Sequence, residues 1–102
     1  MTSTWQENGK SAILKIGTAL SIYEAAGLRD ELISHLENHE HLILELGEVQ
    51  KCDAAGIQLL YSAWKTADTV GKTVTIRNPS SAILKIMKEM GVNSEEILSS
   101  EL

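Results

Sequence analysis

Residues 42–56 restrict the fold more than any other stretch of the chain. Leu42-Ile43-Leu44-Glu45-Leu46 is a short apolar run that reads as a strand buried on both faces. From Ile57 to Val70 apolar residues recur at helical spacing instead. Cys52-Asp53-Ala54-Ala55-Gly56 therefore lies at a strand-to-helix junction, with Asp53 placed to cap the first turn. Gly71 supplies a helix stop, and the β-branched run Lys72-Thr73-Val74-Thr75-Ile76-Arg77 reads as the next strand. Strand, helix and strand in this order imply parallel strands joined by a right-handed crossover.

The flanking segments extend the same plan. Ala12-Ile13-Leu14-Lys15-Ile16 predicts a strand, broken by Gly17-Thr18, with a short return at Ala19-Leu20. Trp5 precedes this strand and is expected to pack over a sheet edge. Ser21 and Glu24 have the spacing of a capping box, opening a helix from Tyr23 to Asn38 that buries Ala25, Leu28, Leu32 and Leu36. Pro79-Ser80-Ser81 forms a turn that launches a third helix, with Ile83, Ile86, Met87 and Met90 in helical phase and Gly91 at its end. Asn93 and Glu96 predict a last short helix. The expected fold is a single α/β domain spanning residues 1–102, a mixed four-stranded sheet packed with three to four helices.

Charge narrows the function classes. A net charge of −5 and a pI near 5.1 leave no basic footprint for nucleic acid or an anionic membrane surface. Cys52 is the only cysteine, so no intrachain disulfide can form, which fits a reducing compartment. Residues 1–7 show no basic cluster followed by an apolar run, and no apolar stretch approaches a membrane span. These features predict a cytoplasmic protein of bacterial type that does not insert into the membrane.

The junction at residues 52–56 is also the best candidate site. A helix start gathers unpaired N–H groups and the positive end of the dipole, a natural seat for a phosphate, yet Ala54 and Ala55 have no hydroxyl to carry one. At 100° per residue, Gly56, Leu60, Ala63, Ala67 and Val70 turn toward the sheet, while Ala54, Gln58, Tyr61 and Lys65 share the opposite side. Ala54 thus points outward beside an aromatic and a cation, although two alanines are also simply good helix formers. His35, His39 and His41 include an i, i+4 pair, but with no nearby cysteine and a polar helix end they read as a solvated face rather than a metal site. Cys52 reads as a small, partly buried residue in preference to a reactive thiol. No nucleophile–base–orienter set and no phosphate-cradling glycine loop can be assembled, so a non-enzyme without a cofactor is expected.

Here a family resemblance becomes specific. Residues 42–92 resemble a STAS domain, the module of anti-sigma-factor antagonists and sulfate-transporter tails. The resemblance rests on Leu44-Glu45-Leu46, Asp53-Ala54-Ala55-Gly56-Ile57-Gln58-Leu59-Leu60, Gly71-Lys72 and Val74-Thr75-Ile76. Ser21-Ile22-Tyr23-Glu24-Ala25-Ala26 and Leu28-Arg29 are similar to the family's first helix. The resemblance implies partner switching: the unmodified form binds an anti-sigma factor or related serine kinase, and phosphorylation of the hydroxyl residue after the motif aspartate breaks the contact. That position is Ala54, which cannot be phosphorylated. Such a chain binds its partner constitutively, is regulated at another residue, or carries alanine in place of a natural hydroxyl residue. The partner-binding set implied is Asp53, Ala54, Gly56, Gln58, Tyr61 and Lys65, with Tyr61 as expected anchor. Similar single-domain STAS proteins sit on the ATPase of bacterial phospholipid-trafficking transporters, which is the alternative function.

Overall fold

Seven elements carry the fold in the computed structural model, which describes residues 2–91. They are β1 (Thr2–Asn8), β2 (Ser11–Leu20), α1 (Ile22–Asn38), β3 (His41–Cys52), α2 (Ala54–Thr69), β4 (Thr73–Arg77) and α3 (Ser81–Met90). The strands lie side by side in chain order, β1 antiparallel to β2, and β2, β3 and β4 mutually parallel. Both parallel connections run through a helix. Because each step moves the same way across the sheet, right-handed crossovers lay the helices on one face.

Burial follows that geometry. Leu14 and Ile16 of β2, Leu42, Leu44 and Leu46 of β3, and Val74 and Ile76 of β4 are buried beneath the helices. Leu28, Leu32 and Leu36 of α1, Ile57, Leu60 and Ala67 of α2, and Ile83 and Met87 of α3 close the core from above. The alternate residues emerge on the other face, where Ile13, Ile43 and Glu45 are half-buried and Lys15 is exposed. Ion pairs brace this face: Lys15 to Glu48 at 2.6 Å, and Arg77 Nε to Glu45 at 2.6 Å.

Four readings change. The 42–46 run is central but covered on one face only, because all the described helices pack on the same side. The first strand of the sheet is β1, which contains Trp5; its polar composition suits an edge strand and hid it from hydropathy. Gly9, at φ +62°, turns β1 back into β2. The expected break at Gly17-Thr18 is instead a register shift within one continuous strand, where Thr18 takes φ +65°. Val70 is exposed rather than sheet-facing, because it lies just past the last turn of α2.

The caps were legible. Ser21 and Glu24 form the capping box of α1, Asp53 caps α2, and Ser80 caps α3 through the Ile83 N–H. Gly71 and Gly91 take positive φ at the ends of α2 and α3. The helix expected from Asn93 lies outside the described residues.

Candidate functional site

Three chain segments meet at the carboxyl ends of the parallel strands: the end of β2, the start of α1 and the start of α2. In open α/β sheets this edge is where binding sites gather. Asp53 holds it together. Its Oδ1 accepts from the Gly56 N–H at 3.1 Å, capping α2, and its Oδ2 accepts from the Ile22 N–H at 3.0 Å, at the start of α1. The Asp53 N–H in turn donates to the Leu20 carbonyl at 3.3 Å. The N–H groups of Ile22, then Gly56, then Ala55 hold the Asp53 carboxyl below the ordinary aspartate range.

Gly56 makes the close approach possible. A Cβ built there would lie 2.4 Å from the Leu20 carbonyl oxygen and 2.9 Å from Leu20 Cγ. The first turn of α2 therefore rests directly on the end of β2. Gly56 is buried by this contact, so it shapes the surface from beneath and cannot itself touch a partner.

Of the other residues singled out in the sequence, Ala54, Gln58 and Lys65 are exposed together on the outer side of α2. Tyr61 is half-buried, its ring tilted against Trp64 at 5.6 Å, which weakens its claim as an anchor. Sequence reasoning missed two neighbours. Ile22 is 63% exposed and Tyr23 90% exposed, at the helix start that Asp53 ties to α2. Tyr23 falls opposite the Leu28–Leu32–Leu36 stripe at 100° per residue, and an aromatic so far out of phase is the signal that could have found it.

Cys52 lies beside this surface without being reactive. Burial, with the Asp53 charge adding to it, pushes its thiol up to about 11, so it stays protonated at neutral pH. The three histidines separate. His41 Nδ1 lies 2.8 Å from Thr73 Oγ1, whereas His35 and His39 gather with Glu7. His39 is buried, which corrects the expectation of a solvated face. Among the described residues, no helix is long and apolar enough to cross a membrane.

A family model described as "Mlab, STAS domain" matches residues 3–99. Among solved structures, TM1081 of Thermotoga maritima, described as a "putative anti-sigma factor antagonist", superposes with a TM-score of 0.80 at 14% identity, over 94% of this chain and 82% of that one. The Bacillus anti-sigma factor antagonist SpoIIAA in its unphosphorylated form gives 0.77 at 13% identity, over 89% and 82%. SLC26A9 gives 0.73 at 17% identity, over 87% of this chain but 17% of that one. At these identities the structural likeness is one of fold. No curated protein matches the sequence.

Proposed function

The chain belongs to the STAS domain family, and from that premise we propose that it is a non-enzymatic, cytoplasmic protein-binding module of bacterial type. Its whole length acts as one domain, and it docks its partner through the paired starts of α1 and α2. One observation carries this reading: a single carboxylate, Asp53, locks two helix starts together and presents exposed Ile22 and Tyr23 beside Ala54. Exposed apolar side chains clustered at a rigid edge mark an interaction surface, and interface energy concentrates on aromatics. Tyr23 is the proposed anchor. Gln58 and Lys65 extend the contact along α2, and Asp53 and Gly56 position it.

Ala54 sets how this surface is used. A phosphate at that position would add about −1.5 to −2 charges beside an apolar patch. Alanine keeps the patch neutral, so docking is constitutive and no phospho-switch operates at residue 54. In one version of the reading the partner is an anti-sigma factor or serine-kinase-like protein, as for the antagonists whose fold this chain shares. The second version, a STAS subunit seated on the ATPase of a phospholipid-trafficking transporter, is favoured by Ala54 itself, because a permanent subunit needs no release signal.

Co-purification of the tagged full chain from its own cells, with mass spectrometry of the stoichiometric partner, separates the two versions. Tyr23→Ala should then weaken that complex at least tenfold, or about 1.4 kcal/mol. Undiminished binding by Tyr23→Ala overturns the placement of the surface.

A further inference from the structure

We propose that Glu7, His35 and His39 form a binding site for a divalent transition metal, best suited to Zn2+, that clips the edge strand β1 to the end of α1. His35 lies in the last turn of α1 and His39 is its extended C-cap, and their ring centroids lie 5.7 Å apart. Glu7 reaches them from β1. One donor atom from each residue lies within 4.8 Å of those of the other two.

The orientation of His39 carries the argument. This side chain is 7% exposed. Its Nδ1 lies 3.0 Å from the His35 carbonyl oxygen, which can only accept, so the proton sits on Nδ1. That leaves Nε2 with a bare lone pair, 3.2 Å from Glu7 Oε1. Two acceptors facing each other at that distance require a shared cation, either an additional proton or a metal ion. An imidazole whose other nitrogen is held by a backbone carbonyl is the usual second-shell arrangement of a metal-bound histidine, fixing tautomer and ring angle.

His35 is held just as firmly. Its ring stacks on Trp5 with centroids 3.5 Å apart and planes 18° from parallel, and the Trp5 indole N–H donates to Glu31 Oε1 at 3.0 Å. Two imidazoles and a carboxylate are a His2Glu donor set, which zinc accepts in tetrahedral geometry with water at the fourth position. Bonds of about 2.0–2.2 Å set tetrahedral ligand atoms roughly 3.4 Å apart, so closing the site needs a movement on the order of 1 Å. The Glu7 side chain, 64% exposed, supplies part of it and leaves an entry path from solvent. The His35 and His39 rings, with centroids 5.7 Å apart and planes 30° from parallel, must turn their nitrogens toward the ion for the rest. The site lies at the far end of α1 from Ile22. A helix of 17 residues is about 25 Å long, so the proposal is independent of the docking surface.

The test uses metal-free full-length protein titrated with Zn2+ by calorimetry, and with Co2+ followed by visible absorption. The expected results are one equivalent bound, the d–d intensity of a four-coordinate site, a change in Trp5 fluorescence as His35 is captured, and a higher Tm with Zn2+. Glu7→Gln, at an exposed position that spares the fold, and His39→Gln should each lower affinity at least tenfold. His41→Gln, on the Thr73 side, should leave it unchanged. Absence of Zn2+ binding, with Glu7→Gln lowering only Tm, would reduce the cluster to a Glu7–His39 ion pair and overturn the proposal. Binding that Glu7→Gln leaves intact, or that His41→Gln weakens equally, would overturn it as well.

Discussion

Replacing Gly56 by alanine asks whether the junction is built as described, because helix propensity and packing predict opposite signs. In a helix, alanine is favoured over glycine by about 1 kcal/mol. Against this, the new Cβ would stand 2.4 Å from the Leu20 carbonyl oxygen, roughly 1 Å inside a normal contact. The obstacle is backbone, and it already accepts the Asp53 N–H, so it cannot turn aside as a side-chain tip would. Overpacking of this kind costs about 1–3 kcal/mol, and a contact so short belongs in the upper part of that range. We expect a net loss of about 1–2 kcal/mol, a fall in Tm of roughly 5–15 °C for a domain of this size. Gly27→Ala is the internal control. An added Cβ there meets nothing within 4 Å, so the same substitution should stabilise by about 0.5–1 kcal/mol. Urea unfolding and calorimetry on both variants provide the assay. A Gly56→Ala protein as stable as wild type, or a Gly27→Ala protein equally damaged, would mean that α2 does not rest on the Leu20 carbonyl in this way.

Three further outcomes follow from the same structure. Asp53 has its carboxyl held down in the folded state, so its contribution is full above the ordinary aspartate value of 3.8 and is lost as pH falls through the lower folded value; the stability gap between wild type and Asp53→Asn, measured by urea unfolding, should be constant near neutrality and shrink below about pH 4. Leu44→Ala should cost about 2–5 kcal/mol, because Leu44 is fully buried, whereas Ile43→Ala on the half-open face should cost under about 1.5 kcal/mol; equal losses would mean that both faces are covered. Cys52, with its thiol pushed up to about 11, should react with iodoacetamide at pH 8 on the order of a hundredfold more slowly than a free cysteine, and comparable rates would contradict its burial.

Features encoded by local chemistry were legible in the sequence. Ser21 with Glu24, Asp53 before Ala54, Ser80 after Pro79, and the two helix-ending glycines all act within four residues, so their order along the chain reveals them. The apolar run of β3 was equally clear as a central strand. Its second face was not, because Ile43 is as hydrophobic on an open sheet face as it would be in a core. Strand β1 escaped because an edge strand needs no apolar alternation; Gly9, which opens the two-residue loop Gly9-Lys10, was the one cue to its return. The site divides in the same way. Helical phase placed Ala54, Gln58 and Lys65 on one exposed side, but it set Tyr61 there too, and only packing shows the ring leaning on Trp64. The partnership of Asp53 with Ile22 spans 31 residues. No pattern in the chain announces it, and with it Tyr23 enters the site.

On the proposed function, a neutral, permanently available surface at residue 54 holds a protein partner. The most direct test is the dissociation constant of the co-purified partner for wild type, Ala54→Ser and Ala54→Glu, with folding checked by circular dichroism. Serine, uncharged and nearly the same size, should bind like wild type. Glutamate, which brings charge to the docking surface without touching the core, should stay folded and bind at least tenfold more weakly, about 1.4 kcal/mol. Equal affinity for all three folded proteins would move the interface elsewhere on the domain.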